Sequence, residues 1–148
     1  MVGTGNQVDV STCIELINSM SAAVGAHDVD AVLSYFDDEC VFVNGVTGAT
    51  SAKPDLVTFL EETWSAFPDY TPRPVASYFQ ENTLGVLFEI SATPSSAEGG
   101  SAVGKVHWMV AAFSTFDPLS LKIVRDSYYV DEVMIEQKVK EAQRSVLD

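Results

Sequence analysis

Apolar residues recur every three or four positions from about Thr12 to Val24, which predicts a first helix ending at Gly25. Thr12 and Glu15 have the spacing of a capping box, so we place the helix start there. Asp28 is the expected cap of a second, shorter helix. The apolar face of that helix consists of Val29, Val32, Leu33 and Phe36.

A strand and a third helix follow. Residues 40–43 are rich in β-forming side chains and run into the turn pair Asn44-Gly45. The third helix is predicted from Ser51, with Pro54 in its first turn, and it ends before Pro68. Its apolar stripe is formed by Leu56, Phe59, Leu60, Thr63, Trp64 and Phe67.

The second half of the chain is predicted to be mostly sheet, closed by a helix at about 131–146. The predicted strands are 71–79, 83–93, 103–116 and 121–130. Residues 94–101 are rich in Ser, Gly and Pro, and we expect a mobile loop near the pocket mouth or sheet edge. Helices segregated from a run of antiparallel strands, in the order ααβαββββα, indicate the α+β class.

The length of 148 residues suits one domain, and no linker or internal repeat divides it. We therefore expect an N-terminal tail at 1–10 and a single domain at 11–148. The net charge of −13 argues against nucleic acid and anionic membrane as partners. Because residues 1–10 lack the features of a signal peptide and no stretch is long enough to span a membrane, a cytoplasmic location is expected.

Candidate metal ligands are sparse. Cys13 and Cys40 are expected to be free, buried thiols, and the two histidines lie 80 positions apart, which argues against a zinc site. The acidic run at 37–39 lacks the spacing of a calcium loop and is expected to be solvated. We expect no metal and no cofactor.

Several segments, taken in order, resemble the SnoaL-like polyketide cyclases of the NTF2-like superfamily. The segment 64–69, Trp-Ser-Ala-Phe-Pro-Asp, is similar to their turn in which A-F-P-D closely follows a Trp, and 122–131 followed by Gln137 is similar to their final strand. Residues 27–30 and 36–39 resemble segments common across NTF2-like proteins. The resemblance implies an α+β cone: a strongly curved, mostly antiparallel sheet, helices packed over its concave face, and a pocket for a small apolar molecule.

The chain also departs from its expected relatives. The segment 91–100 has no His where SnoaL-like cyclases often have G-T-H-x-G. Met20 stands where ketosteroid isomerases have a tyrosine, and Val43 or Asn44 stands where they have an aspartate base. The strand 83–93 lacks the Arg-x-Asp pair of limonene-type epoxide hydrolases. Neither sister activity therefore has its residues in place.

Three residues are candidates for catalysis. Asp131 follows an apolar strand and precedes a helix, so it either caps that helix or faces the pocket as an acid/base; the resemblance implies the acid/base of an intramolecular aldol closure. His107 is either a structural histidine or a hydrogen-bond partner for substrate. Asn44 is either a turn residue or an amide that polarises a substrate carbonyl.

The candidate substrate-binding residues come from two patterns. Arg125, Ser127 and Tyr129 alternate with Asp131, so they are expected to line one face with it. Four further residues are expected in the core and become pocket wall if the cone is open: Met20, Tyr35, Trp64 and Phe67.

We therefore expect a cofactor-independent biosynthetic enzyme that binds a polyketide- or terpenoid-like molecule and catalyses cyclisation or isomerisation by proton transfer. One alternative is a non-catalytic binding or dimerisation module. A second is an epoxide-opening cyclase or hydrolase that uses Asp131 and Asp126. A homodimer is expected, because the strand 103–116 is apolar on both faces.

Overall fold

The computed structural model describes residues 7–95 and 104–147. Most of the predicted mobile loop at 94–101 lies outside the described residues. Its first two residues are described: Pro94 is buried, and the Ser95 backbone N–H donates to the Ala66 carbonyl at 2.8 Å.

The four helices are α1 at Val10–Gly25, α2 at Val29–Leu33, α3 at Lys53–Ala66 and α4 at Glu132–Leu147. Helix α1 begins ahead of the predicted start because Asp9, not Thr12, is its cap. The Asp9 carboxylate accepts the Thr12 backbone N–H at 3.2 Å. Asp28 caps α2 as predicted, accepting the Ala31 N–H at 3.1 Å.

The strands are β1 at Phe36–Asn44, β2 at Thr50–Ser51, β3 at Pro72–Gln80, β4 at Thr83–Ala92, β5 at Val106–Phe116 and β6 at Ile123–Tyr129. They form one curved sheet in the order β2-β1-β6-β5-β4-β3. Strands β1 and β6 pair in parallel, and every other neighbouring pair is antiparallel. The α+β prediction is confirmed. The two-residue strand β2 was not predicted, because it is defined only by its pairing with β1.

The hydrophobic core lies between the helices and one face of the sheet. Helix α1 packs on β3 and β4, α3 packs on β1, and α4 packs on β5. Strand β4 shows the alternation most clearly, since every second side chain from Leu84 to Ala92 is buried, whereas Leu87 is exposed. Ile90 lies opposite Trp108 of β5, which is buried on the same face.

The last turn of α3 contacts α1, and the turn that follows α3 contacts the end of β4. The Trp64 indole N–H donates to the Val24 carbonyl at 3.0 Å, and the His27 ring stacks on Trp64 with 4.7 Å between ring centroids. Asp69 accepts both the backbone N–H and the hydroxyl of Thr93, at 2.7 and 2.8 Å. Trp64 therefore connects α3 to α1, and the segment 64–69, which carries part of the family resemblance, has a structural role.

Candidate functional site

A cavity of about 360 Å³ lies between the helices and the inner face of the sheet. Its wall is mostly apolar and aromatic, and it includes Phe36, Phe42, Phe67, Phe88 and Trp108. The rings of Phe67 and Trp108 are in contact, with centroids 5.2 Å apart. A concave apolar pocket with a few inward polar groups is the usual form of a small-molecule site.

The exposed residues of the lining show where the cavity opens. Asp55 and Phe59 of α3 and Glu132 at the start of α4 line the cavity and are also solvent-exposed. The mouth therefore lies between α3 and the N-terminus of α4.

The principal ionisable group inside is Asp126 of β6. It lies opposite Ser114 of β5, whose hydroxyl donates to the Asp126 carboxylate at 2.9 Å. Desolvation raises the pKa of Asp126 from 3.8 to about 6, although the Ser114 hydrogen bond lowers it in part. Both protonation states of Asp126 are therefore accessible near neutral pH.

Tyr128 lies two residues further along β6 and also lines the cavity. Burial raises the pKa of Tyr128, the charges of Glu132 and Asp126 raise it further, and a hydrogen bond with the Asn44 side chain opposes them. The phenol is therefore neutral at physiological pH.

The other hydrogen bonds of the Asn44 side chain indicate which of its groups bonds to the Tyr128 phenol. Its amide oxygen already accepts the backbone N–H groups of Val46 and Thr47, at 2.9 and 3.2 Å. The amide NH₂ thus remains for Tyr128 and donates to the phenol oxygen. The bond with Asn44 therefore does not use the Tyr128 O–H, and Tyr128 lines the cavity.

Ser21 of α1 is a further polar residue of the lining. It is 4% exposed, and within 7–95 and 104–147 its hydroxyl is the one buried side-chain polar atom without a hydrogen-bond partner.

Asp131 lies outside the cavity, so its predicted placement is wrong. Strand β6 ends at Tyr129, and Asp131 is exposed in the link to α4, where its carboxylate accepts the Met134 N–H at 2.9 Å. It caps the helix, which was the alternative interpretation. The pair of Asp131 and Asp126 that an epoxide-opening reaction would use is not assembled in the cavity.

The other strand residues predicted for the site face the opposite side of the sheet. His107 is exposed beside the inward-facing Trp108. Tyr129 is 44% exposed, and neither it nor Ser127 lines the cavity. The predicted placement of Ser127 and Tyr129 in the pocket is therefore wrong, and His107, whose side of the sheet the sequence left open, lies on the outer face.

Of the remaining candidate residues, some line the cavity and others do not. Met20 and Phe67 line the cavity, and their contact with a substrate stays a prediction. Tyr35 and Trp64 pack against the core without lining it. Asn44 does not line the cavity either, and reaches it only through Tyr128.

The sequence does contain an indication of the residues that were missed. Ser114 lies in the mostly apolar strand β5, and Asp126 lies between Arg125 and Ser127 in the middle of β6, whose two ends are apolar or aromatic. A carboxylate within a buried strand is costly unless it is paired, so such a residue is a candidate functional group in its own right.

Cys13 and Cys40 are free and buried, which confirms that prediction. Burial raises their pKa values to about 11 and about 12, so both are neutral thiols. In the part of the chain that the structure describes, no three His, Cys, Asp or Glu side chains are grouped as a metal site would require. No helix described in the structure is both long and apolar enough to cross a membrane.

The fold is shared by known structures of low sequence identity. AclR, a candidate hydroxylase from Streptomyces galilaeus, is 17% identical with a TM-score of 0.76, covering 90% of this chain and 98% of its own. IdmH, a candidate polyketide cyclase from Streptomyces antibioticus, is 14% identical with a TM-score of 0.73, covering 86% and 98%. TerC, co-crystallised with polyporic acid, is 17% identical with a TM-score of 0.67, covering 86% and 98%.

No curated protein matches the chain. A family model described as the SnoaL-like domain, however, matches residues 17–134, which is most of the chain. The protein therefore belongs to the SnoaL-like family and has its NTF2-like α+β fold.

Proposed function

We propose that the protein is a cofactor-independent enzyme that cyclises or isomerises a small apolar ketone, with Asp126 as the acid/base. The observation that carries the proposal is a carboxyl group with a pKa of about 6 in the wall of an apolar cavity. A pKa near the operating pH suits a group that must both accept and return a proton.

In the first step, the Asp126 carboxylate takes a proton from the carbon next to a substrate carbonyl. The C–H electron pair moves into the new C=C bond, and the carbonyl oxygen becomes an enolate. The Tyr128 O–H donates a hydrogen bond to that oxygen and stabilises the developing charge. Asp126 and Tyr128 project from the same face of β6, about 7 Å apart along the strand.

In the second step, Asp126 returns the proton. If it goes to a different carbon, the product is an isomer. If the enolate carbon first attacks a second carbonyl of the same molecule, a C–C bond closes a ring and the proton goes to the resulting alkoxide. The apolar wall holds the folded substrate and excludes water.

The named neighbours support a small oxygenated ligand. IdmH is a candidate polyketide cyclase, and TerC was crystallised with polyporic acid. A purely apolar cavity would favour a non-catalytic binding module, whereas the hydrogen-bonded Ser114 and Asp126 pair favours an enzyme.

The test is deuterium exchange at the acidic carbon of β-tetralone, a small bicyclic ketone, followed by NMR in heavy water. Asp126→Asn keeps the shape and the Ser114 hydrogen bond but removes the base, so it should slow enzyme-catalysed exchange by about two to four orders of magnitude. Asp131→Asn is the matched control and should exchange at the wild-type rate. Unchanged exchange in Asp126→Asn, or an equal loss in both variants, would overturn the assignment.

A further inference from the structure

We infer that Ser21 is a specificity-determining residue that binds an oxygen substituent at the end of the ligand remote from Asp126. The inference rests on the proposed function, because it needs a small organic ligand in the cavity. It adds that the ligand has an apolar body with a hydroxyl or carbonyl group at each end.

The first observation is the state of the Ser21 hydroxyl. A serine inside a helix commonly donates to the carbonyl one turn earlier, yet the Ser21 hydroxyl has no hydrogen-bond partner. Leaving a buried hydroxyl unpaired is costly. Since Ser21 also borders the cavity, a ligand oxygen there would satisfy it.

The second observation is the distance of Ser21 from the Asp126 end. Gly25, one turn beyond Ser21, lies against Thr71, which places this part of α1 beside the start of β3. There Pro72, which lines the cavity together with Ser21, pairs with Ile90 of β4.

Asp126 pairs with Ser114, and Ser114 in turn pairs with Leu84 of β4. Leu84 and Ile90 are six residues apart, on the order of 20 Å measured along the strand, although the twist of the sheet shortens the direct line. The two polar groups therefore lie towards different ends of one elongated, mostly apolar cavity.

The surroundings of Ser21 indicate which chemical group it takes. The residues that line the cavity beside Ser21, namely Met20 and Val24 of α1 and Pro72 at the start of β3, carry no charge. A serine hydroxyl both donates and accepts, so it suits a neutral hydroxyl or carbonyl, whereas a carboxylate or ammonium would find no opposite charge among these residues.

The test compares two matched probes by titration calorimetry. These are 4,4′-dihydroxystilbene, which has a hydroxyl at each end, and 4-hydroxystilbene, which lacks one. We expect the wild type to bind the diol roughly tenfold more tightly, the usual worth of one hydrogen bond. Ser21→Ala should remove this preference and leave the affinity for 4-hydroxystilbene unchanged. Ser19→Ala, an exposed serine on the same helix, is the control and should behave as the wild type.

Thermal unfolding of the ligand-free protein is a second readout. Because Ser21→Ala removes an unpaired buried hydroxyl, the melting temperature should stay the same or rise by a few degrees. A clear fall would show that the hydroxyl has a partner within the protein and would overturn the inference.

Three further results would overturn it: no preference for the diol in the wild type, a preference that survives in Ser21→Ala, or failure of both probes to bind. None of these depends on the exchange of β-tetralone by Asp126. A loss of exchange in Asp126→Asn would therefore still support the proposed function if the inference about Ser21 failed.

Discussion

At the scale of single residues, the protonation of Asp126 links the proposed catalysis to stability. The folded state favours the neutral carboxyl, because burial raises its pKa to about 6 from an ordinary value of 3.8. The unfolded chain releases the proton at the lower value. The contribution of Asp126 to stability is therefore greatest below the unfolded pKa and is lost as pH rises from about 4 to about 6.

The first prediction concerns this pH dependence. Asp126→Asn removes the titrating group, so its stability relative to the wild type should increase between about pH 4 and pH 6. The gain should reach at most about 3 kcal/mol, from 1.36 kcal/mol per pKa unit. Urea unfolding of both proteins across this range measures it. A difference that does not change with pH would show that Asp126 titrates normally.

Asn44 has two separable roles, and the second prediction distinguishes them. Its oxygen accepts the backbone N–H groups of Val46 and Thr47, and we propose that its NH₂ group orients Tyr128. Asn44→Asp keeps the oxygen but loses the donor, so kcat should fall about tenfold while the melting temperature stays near that of the wild type. Asn44→Ala should lower both. An Asp variant with wild-type kcat would show that Asn44 is only a turn residue.

At the scale of secondary-structure elements, helix α4 depends on Asp131. The carboxylate accepts the Met134 N–H in the first turn, where it also faces the positive end of the helix dipole. Helix α4 supplies Glu132 at the mouth and Ile135 in the cavity wall, so the cap acts on the site only through the position of the helix.

The third prediction is that Asp131→Ala destabilises the protein by about 1 kcal/mol, the usual cost of losing a cap. Asp131→Asn keeps a capping oxygen and should be nearly neutral. Both variants should keep the wild-type kcat, as judged by exchange of β-tetralone. A large loss of kcat in the Asn variant would restore Asp131 as the acid/base.

At the scale of the whole molecule, the outer face of the sheet carries an apolar patch. Met109 and Phe113 of β5 are 42% and 44% exposed, and Tyr129 of β6 packs edge-on against Phe113 with 5.9 Å between the ring centroids. Contiguous apolar patches on soluble proteins commonly mark an interface. We propose that a second copy of the chain covers this face.

The fourth prediction is therefore a dimer in light scattering at micromolar concentration. Phe113→Glu should shift it to monomer, because a charge would be buried in the interface. Leu119→Glu introduces the same charge at an exposed apolar residue in the turn after β5 and should remain dimeric. A wild-type protein that is monomeric at these concentrations would contradict the proposal.

The sequence by itself determined the order of the elements other than β2, the α+β class, the family and the free thiols. These follow from local properties: apolar spacing distinguishes helix from strand, and short motifs carry the family resemblance. The start of α1 differs from the prediction because Asp9, and not Thr12, is its cap. Strand β2 was missed because it is defined only by its pairing with β1.

Only the tertiary structure decided which residues meet in the cavity. If side chains simply alternated from the buried Ile123, residues 125, 127 and 129 would face the cavity. In the pairing with β5, however, Phe116 lies opposite Ile123 and Thr115 lies opposite Arg125, so Val124 is an extra residue in β6. This irregularity turns Asp126 inward, and the sheet register brings Ser114 to it. Such a shift depends on the partner strand, so no count along a single strand reveals it.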